Sequence, residues 1–153
     1  MNKRLERELF KKIVEHTPLI SIDLIIRNDK GEALLGQRLN RPAQNYWFVP
    51  GGRIYKDESF EIAFKRITFE EVGVQISLND ALFLGVYEHF YNDNFSEAEF
   101  STHYVVHGYE IQLKPQQLHL PTGQHNSYKW FDVGTLLNST TVHQYTKNYF
   151  IPR

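Results

Sequence analysis

With 153 residues, 41% of them hydrophobic and 23% charged, the chain has the composition of one soluble globular domain that can bury a core without disulfides. Lys and Arg total 17 against 18 Asp and Glu, a net charge of −1, so no basic field exists to recruit nucleic acid. There are no cysteines, which excludes thiolate nucleophiles, iron–sulfur clusters and cysteine-bound zinc and fits a reducing compartment.

The first segment sets Leu5, Leu9, Phe10 and Ile13 on one side at helical spacing, predicting a helix over residues 2–16 that Pro18 closes. It is charged and lacks the apolar stretch of a signal peptide. No run approaches the roughly 18 apolar residues of a membrane span. The expected compartment is the cytoplasm, with no membrane partner. Leu19 to Ile26 reads as a buried strand, Asn28-Asp29-Lys30-Gly31 as a turn, and Glu32 to Gln37 as the second strand of a hairpin. A polar loop, Asn40 to Asn45, precedes the apolar run Tyr46-Trp47-Phe48-Val49, and Pro50-Gly51-Gly52 breaks regular structure. Asp57 is the expected N-cap of the next helix, with Glu58 and Glu61 in its first turn and Gly73 as its stop after Val72. Residues 82–91 and 102–113 are aromatic and β-branched and predict a strand pair around a polar loop, Asn92 to Phe100. Ser127 to Phe131 predicts a last short strand and Val142 to Phe150 a final helix. Without repeat, linker or low-complexity tract, this order predicts a single domain over residues 1–153, an α/β sandwich with a mixed sheet.

The chemistry concentrates in GGRIYKDESFEIAFKRITFEEVGV, residues 51–74. At about 100° per residue, positions 67, 70 and 71 share one side of the helix, so it can aim several ligands at one point. Carboxylate oxygens suit magnesium, and Gly51 and Gly52 let a backbone carbonyl approach closely enough to join them. Taken alone, Glu70-Glu71 is the solvated face of an amphipathic helix; the spacing of the whole segment argues for more.

That spacing resembles the Nudix box, Gly-x5-Glu-x7-Arg-Glu-(apolar)-x-Glu-Glu-x-Gly-(apolar), with Gly52, Glu58, Arg66, Glu70, Glu71, Gly73 and Val74 in register. The glutamate that usually follows the arginine is Ile67 here, and the next apolar position is Thr68. This altered box is similar to that of one Nudix branch, the GDP-mannose mannosyl hydrolases. The likeness extends to residues 17–23, 40–53, 89–96, 102–106 and 124–130.

The resemblance implies a Nudix fold, an α/β/α sandwich with a mixed β-sheet, and a homodimer whose first helix completes the partner's site. It implies one Mg²⁺ per subunit, replaceable by Mn²⁺, held by the Gly51 carbonyl, Glu71 and Gln124. It makes His125 the general base and sets Arg38 and Arg53 against the diphosphate. Asp23, His89 and Tyr104 match positions that meet the sugar and diphosphate, and Phe10 a nucleotide-side contact. For Arg38 the plainer reading is a surface salt bridge. For Phe10, His89 and Tyr104 it is core packing. Glu70 either assists electrostatically or faces solvent, and Arg66 is expected to orient carboxylates. The implied reaction is hydrolysis of a GDP-hexose to GDP and sugar by water attack at the anomeric carbon. Two alternatives stand: a pyrophosphohydrolase cleaving at phosphorus, and a non-catalytic nucleotide-sugar sensor.

Overall fold

The apolar run at Leu19–Arg27 (β1) is buried on both faces because it runs through the middle of the sheet. The structure is a computed structural model that describes residues 5–121 and 125–152, with backbone alone at 125 and 126. Before β1 lies α1, Arg7–His16, capped by the Glu6 side chain, which accepts the Leu9 amide at 2.8 Å. Then come β2, Ala33–Arg38, and two short strands, β3, Trp47–Phe48, and β4, Gly51–Arg53. Helix α2, Phe60–Val72, follows, and then β5, Leu82–Tyr91, and β6, Thr102–Gln112. The chain ends with β7, His125–Phe131, and the short helices α3, Val133–Asn138, and α4, Gln144–Lys147.

The strands form one mixed sheet in the order β3-β2-β1-β6-β5, with β4 also paired to β1 and β7 to β2. β1 and β6 run parallel, with Asp23 opposite Gly108, and the other pairings are antiparallel. Alternation along β1 divides the core. Ile22, Leu24 and Ile26 pack against Ala63, Phe64 and Ile67 of α2, whereas Ile25 packs with Leu35 of β2 and Leu136 of α3 on the other face. The expected α/β sandwich is therefore present.

Local expectations differ in several places: α1 begins only at Arg7, leaving Leu5 outside it, and Gly51 and Gly52 do not break regular structure but form β4 against β1. Ser59, not Asp57, caps α2: its hydroxyl accepts the Ile62 amide at 3.2 Å, while Asp57 sits two residues earlier at φ 71°. Aspartate tolerates that left-handed turn, and a turn there keeps Glu58 outside the helix, its side chain bent back to Arg66. The predicted final helix is also broken. Residues 144–147 are α-helical, 148–150 form a 3₁₀ turn, and an unanticipated helix, α3, precedes them after its Asp132 cap. Gly73 stops α2 as expected, at φ 78° with its amide bonded to the Phe69 carbonyl.

Candidate active site

The glycine strand β4 and the last turn of α2 meet at the floor of a pocket. Gly51 lies beside Asp23 of β1, so close that a Cβ there would collide with the Asp23 carboxylate and the Ile22 carbonyl. Only glycine fits. From the other side the Glu71 carboxylate accepts the Gly51 amide at 2.9 Å. Burial pushes Glu71 up to about 7; the Gly51 bond pulls it down, while the charges of Glu70 and Asp23 push it up. Asp23 is likewise pushed up to about 7 by burial, opposed by a 2.6 Å hydrogen bond from the Tyr149 hydroxyl and by the charge of Arg38.

Arg66 organises the box helix. Its guanidinium makes two bonds to Glu58, at 2.7 and 2.8 Å, one to Glu70 at 3.2 Å and one to the Arg53 carbonyl at 2.8 Å. It also stacks over Tyr55, 3.7 Å from the ring centre. The expectation that Arg66 orients carboxylates thus has its geometry, and Glu70 is held at the pocket edge by the same side chain. Ile67, where the box usually carries glutamate, is 1% exposed and packs in the α2 core. Its side chain fills the space over Gly52, 3.2 Å from where a Cβ would stand.

The pocket encloses about 520 Å³, within the range of small-molecule sites. Phe10, Asp23, Arg38, Gly51, Arg53, Glu71, His89 and Tyr104 all line it, so expectations drawn from separate stretches of sequence converge on one cavity. Arg38 donates from Nε to the Pro42 carbonyl at 2.9 Å, and neither it nor Arg53 forms an ion pair among the described residues. The salt-bridge reading of Arg38 therefore has no partner there. Arg53 lies 5.0 Å from the Phe10 ring centre and 4.8 Å from that of Tyr55. Burial lowers its pKa, and Tyr55, Tyr104 and Glu58 partly offset the shift. Phe10 belongs to neither core cluster; it lines the pocket with its ring 5.1 Å from that of Phe95.

His89 is buried, at 4% exposure, and stacks flat on Tyr145 with 4.3 Å between ring centres. Among the described residues its Nε2 has no hydrogen-bond partner. Burial lowers its pKa to about 4, with His143 adding to the shift, so the ring is neutral across the physiological range. Burial also raises the pKa of Tyr104. His125 pairs through its backbone with Arg38, across a register shift in β2, which places this strand end beside the pocket-lining arginine. Gln124 lies outside the described residues.

Sequence reasoning did not single out Tyr91, Phe95 or Tyr149, which complete the surroundings. Each sits in an aromatic-rich stretch, and nothing in its spacing separates it from core aromatics.

The donors this floor offers a cation are oxygens. Among the described residues no group of three or more His, Cys, Asp or Glu side chains is placed to hold a metal. One carboxylate at Glu71 with the Gly51 carbonyl beside it is a set that Mg²⁺ accepts when water and phosphate fill its remaining positions.

A family model described as "NUDIX domain" matches residues 17–152. The chain belongs to the Nudix family. Among similar proteins is the "Low-salt glycan biosynthesis protein Agl8" of Haloferax volcanii, 39% identical over 129 residues, covering 84% of this chain and 80% of that one. Among solved structures, the MutT protein of Methanosarcina mazei Go1 superposes with a TM-score of 0.68 at 25% identity, over 88% of this chain and 92% of the other. The NUDIX domain of Shewanella oneidensis NrtR, complexed with ADP ribose, gives 0.65 at 18% identity over 95% and 97%, a likeness of fold alone. This Nudix protein is therefore a hydrolase of a family that acts on small molecules and generally uses a divalent ion such as Mg²⁺. No helix among the described residues is long and apolar enough to cross a membrane.

Proposed function

We propose that this Nudix hydrolase converts a GDP-hexose, GDP-mannose first and GDP-glucose next, to GDP and free sugar by attack of water at the anomeric carbon. The observation that carries the reading is Ile67. Where Nudix boxes usually carry glutamate, an apolar side chain is packed against Gly52, leaving Glu71 as the box carboxylate bonded to the glycine strand. Phosphorus attack with several ions draws on a larger carboxylate cluster. Attack at carbon asks only for a stabilised leaving group and a base for water.

The Gly51 carbonyl, Glu71 and Gln124 would hold a Mg²⁺ ion, or Mn²⁺ in its place, which would supply positive charge to the diphosphate leaving group. Arg38 and Arg53 add fixed charge to the same group. His125, at the end of β7, takes the proton from the attacking water. Asp23, His89 and Tyr104 contact the sugar and diphosphate, and Phe10 contacts the nucleotide. A single displacement inverts the anomeric centre. The active species is a homodimer. The glycan-biosynthesis name of the Haloferax volcanii relative supports a nucleotide sugar as substrate.

The test is product identity. Incubation with GDP-mannose and Mg²⁺ yields GDP and mannose on this reading. GMP and mannose 1-phosphate would make the protein a pyrophosphohydrolase, and binding without turnover would make it a sensor.

A further inference from the structure

Asp23 reaches the pocket from the middle of the sheet, and the group that holds it comes from 126 residues away. The Tyr149 hydroxyl donates to Asp23 Oδ2 at 2.6 Å, a short charge-assisted bond. The ring arrives there by lying across Gly108 of β6, the residue paired with Asp23 in the parallel register. A Cβ at 108 would stand 2.9 Å from Tyr149 Cε1 and 3.3 Å from Cδ1, so the tyrosine occupies room that only glycine leaves. Tyr87 fixes the ring from the side, edge to face with 4.6 Å between ring centres. Val142 packs into the core just upstream. Together these hold the hydroxyl over one carboxylate oxygen and leave the carboxylate facing the cavity.

We propose that Tyr149 is a positioning residue that fixes the Asp23 carboxylate toward bound substrate, and that Gly108 exists to let it do so. Without the hydroxyl, Asp23 can swing about its side-chain torsions, and its oxygens no longer meet a substrate hydroxyl in one geometry. The inference rests on the nucleotide-sugar reading for the identity of that hydroxyl, but the held carboxylate does not depend on it.

The experiment combines kinetics and structure on the full chain. Tyr149→Phe keeps the ring and should lower kcat on GDP-mannose roughly ten- to a hundredfold, as expected for a lost hydrogen bond to a charged group. Asp23→Asn should lower it at least as far. The double variant should fall no further than Asp23→Asn, because Tyr149 acts through the carboxylate. Gly108→Ala, which displaces the ring, should reproduce the Tyr149→Phe loss and vanish likewise in the Asp23→Asn background. A loss that carries over in full would mean a structural role only and overturn the inference. A crystal structure of Tyr149→Phe decides the point without substrate: a rotated or split Asp23 side chain supports it, and an unmoved one refutes it. If native protein fails to turn over GDP-mannose, the functional reading falls while that structural comparison still decides the inference.

Discussion

The Glu71 carboxylate accepts the Gly51 amide hydrogen at 2.9 Å, tying the last turn of the box helix to the glycine strand where the box begins. This bond turns a sequence spacing into a site. It fixes a carboxylate against a position that must be glycine, because the Asp23 carboxylate and the Ile22 carbonyl fill the space a Cβ at 51 would need.

Replacing Glu71 with Gln keeps an acceptor for Gly51 and removes the charge. Turnover should fall by about a thousandfold if this carboxylate holds the metal. Mg²⁺ should also cease to raise the thermal midpoint. A midpoint that still climbs with Mg²⁺ would place the ion elsewhere.

Ile67→Glu would restore the usual box residue and put a carboxylate into a site that is 1% exposed. Without Mg²⁺ it should cost about 3 kcal/mol in urea denaturation. Added Mg²⁺ should recover part of that loss through a new ligand. An unchanged midpoint would mean that the helix end is looser than its packing indicates.

Arg66 should matter to stability as much as to rate. The Glu58 side chain it pairs with is 8% exposed, so Arg66→Met would leave a buried carboxylate without its guanidinium. The expected loss is about 3 kcal/mol, with a smaller loss for Glu58→Gln, because the Arg66 guanidinium is the more exposed of the pair and keeps Glu70 as a partner. Equal losses for the two variants would argue against the pairing.

His89 predicts a particular acid sensitivity. Its folded pKa is near 4 against an ordinary 6.5. As pH falls from about 6.5 toward 4, the unfolded chain takes up a proton that the folded chain refuses, so stability declines across that window and levels off below it. Over the full window the contribution is about 3 kcal/mol. His89→Phe keeps an aromatic ring against Tyr145 and should flatten the difference between denaturation at pH 7 and pH 4.5. An identical pH slope in both proteins would contradict the burial of a neutral imidazole.

The box was legible because its chemistry is local. Gly52, Glu58, Arg66, Glu70, Glu71 and Gly73 lie within three helical turns and a loop, and local geometry brings them together. β1 was legible for a similar reason, since a strand buried on both faces must be apolar throughout. Asp23 within it was reached through the resemblance, and its place in an apolar strand means that it needs a partner. The partner itself was not legible: Tyr149 is one aromatic among many at the C-terminus, brought to Asp23 by tertiary packing. The α2 cap was misplaced because Asp57 and Ser59 are both good caps, and a left-handed turn at Asp57 decides between them. The side of the pocket where Phe10 meets Phe95 and Arg53 depends on how α1 and the 92–100 loop fold over the sheet, which no local pattern encodes.

The most direct test of the central claim is turnover of GDP-mannose with Mg²⁺ in ¹⁸O-labelled water. Attack at carbon predicts label in free mannose beside unlabelled GDP. Label in GMP or mannose 1-phosphate would show attack at phosphorus and contradict the account.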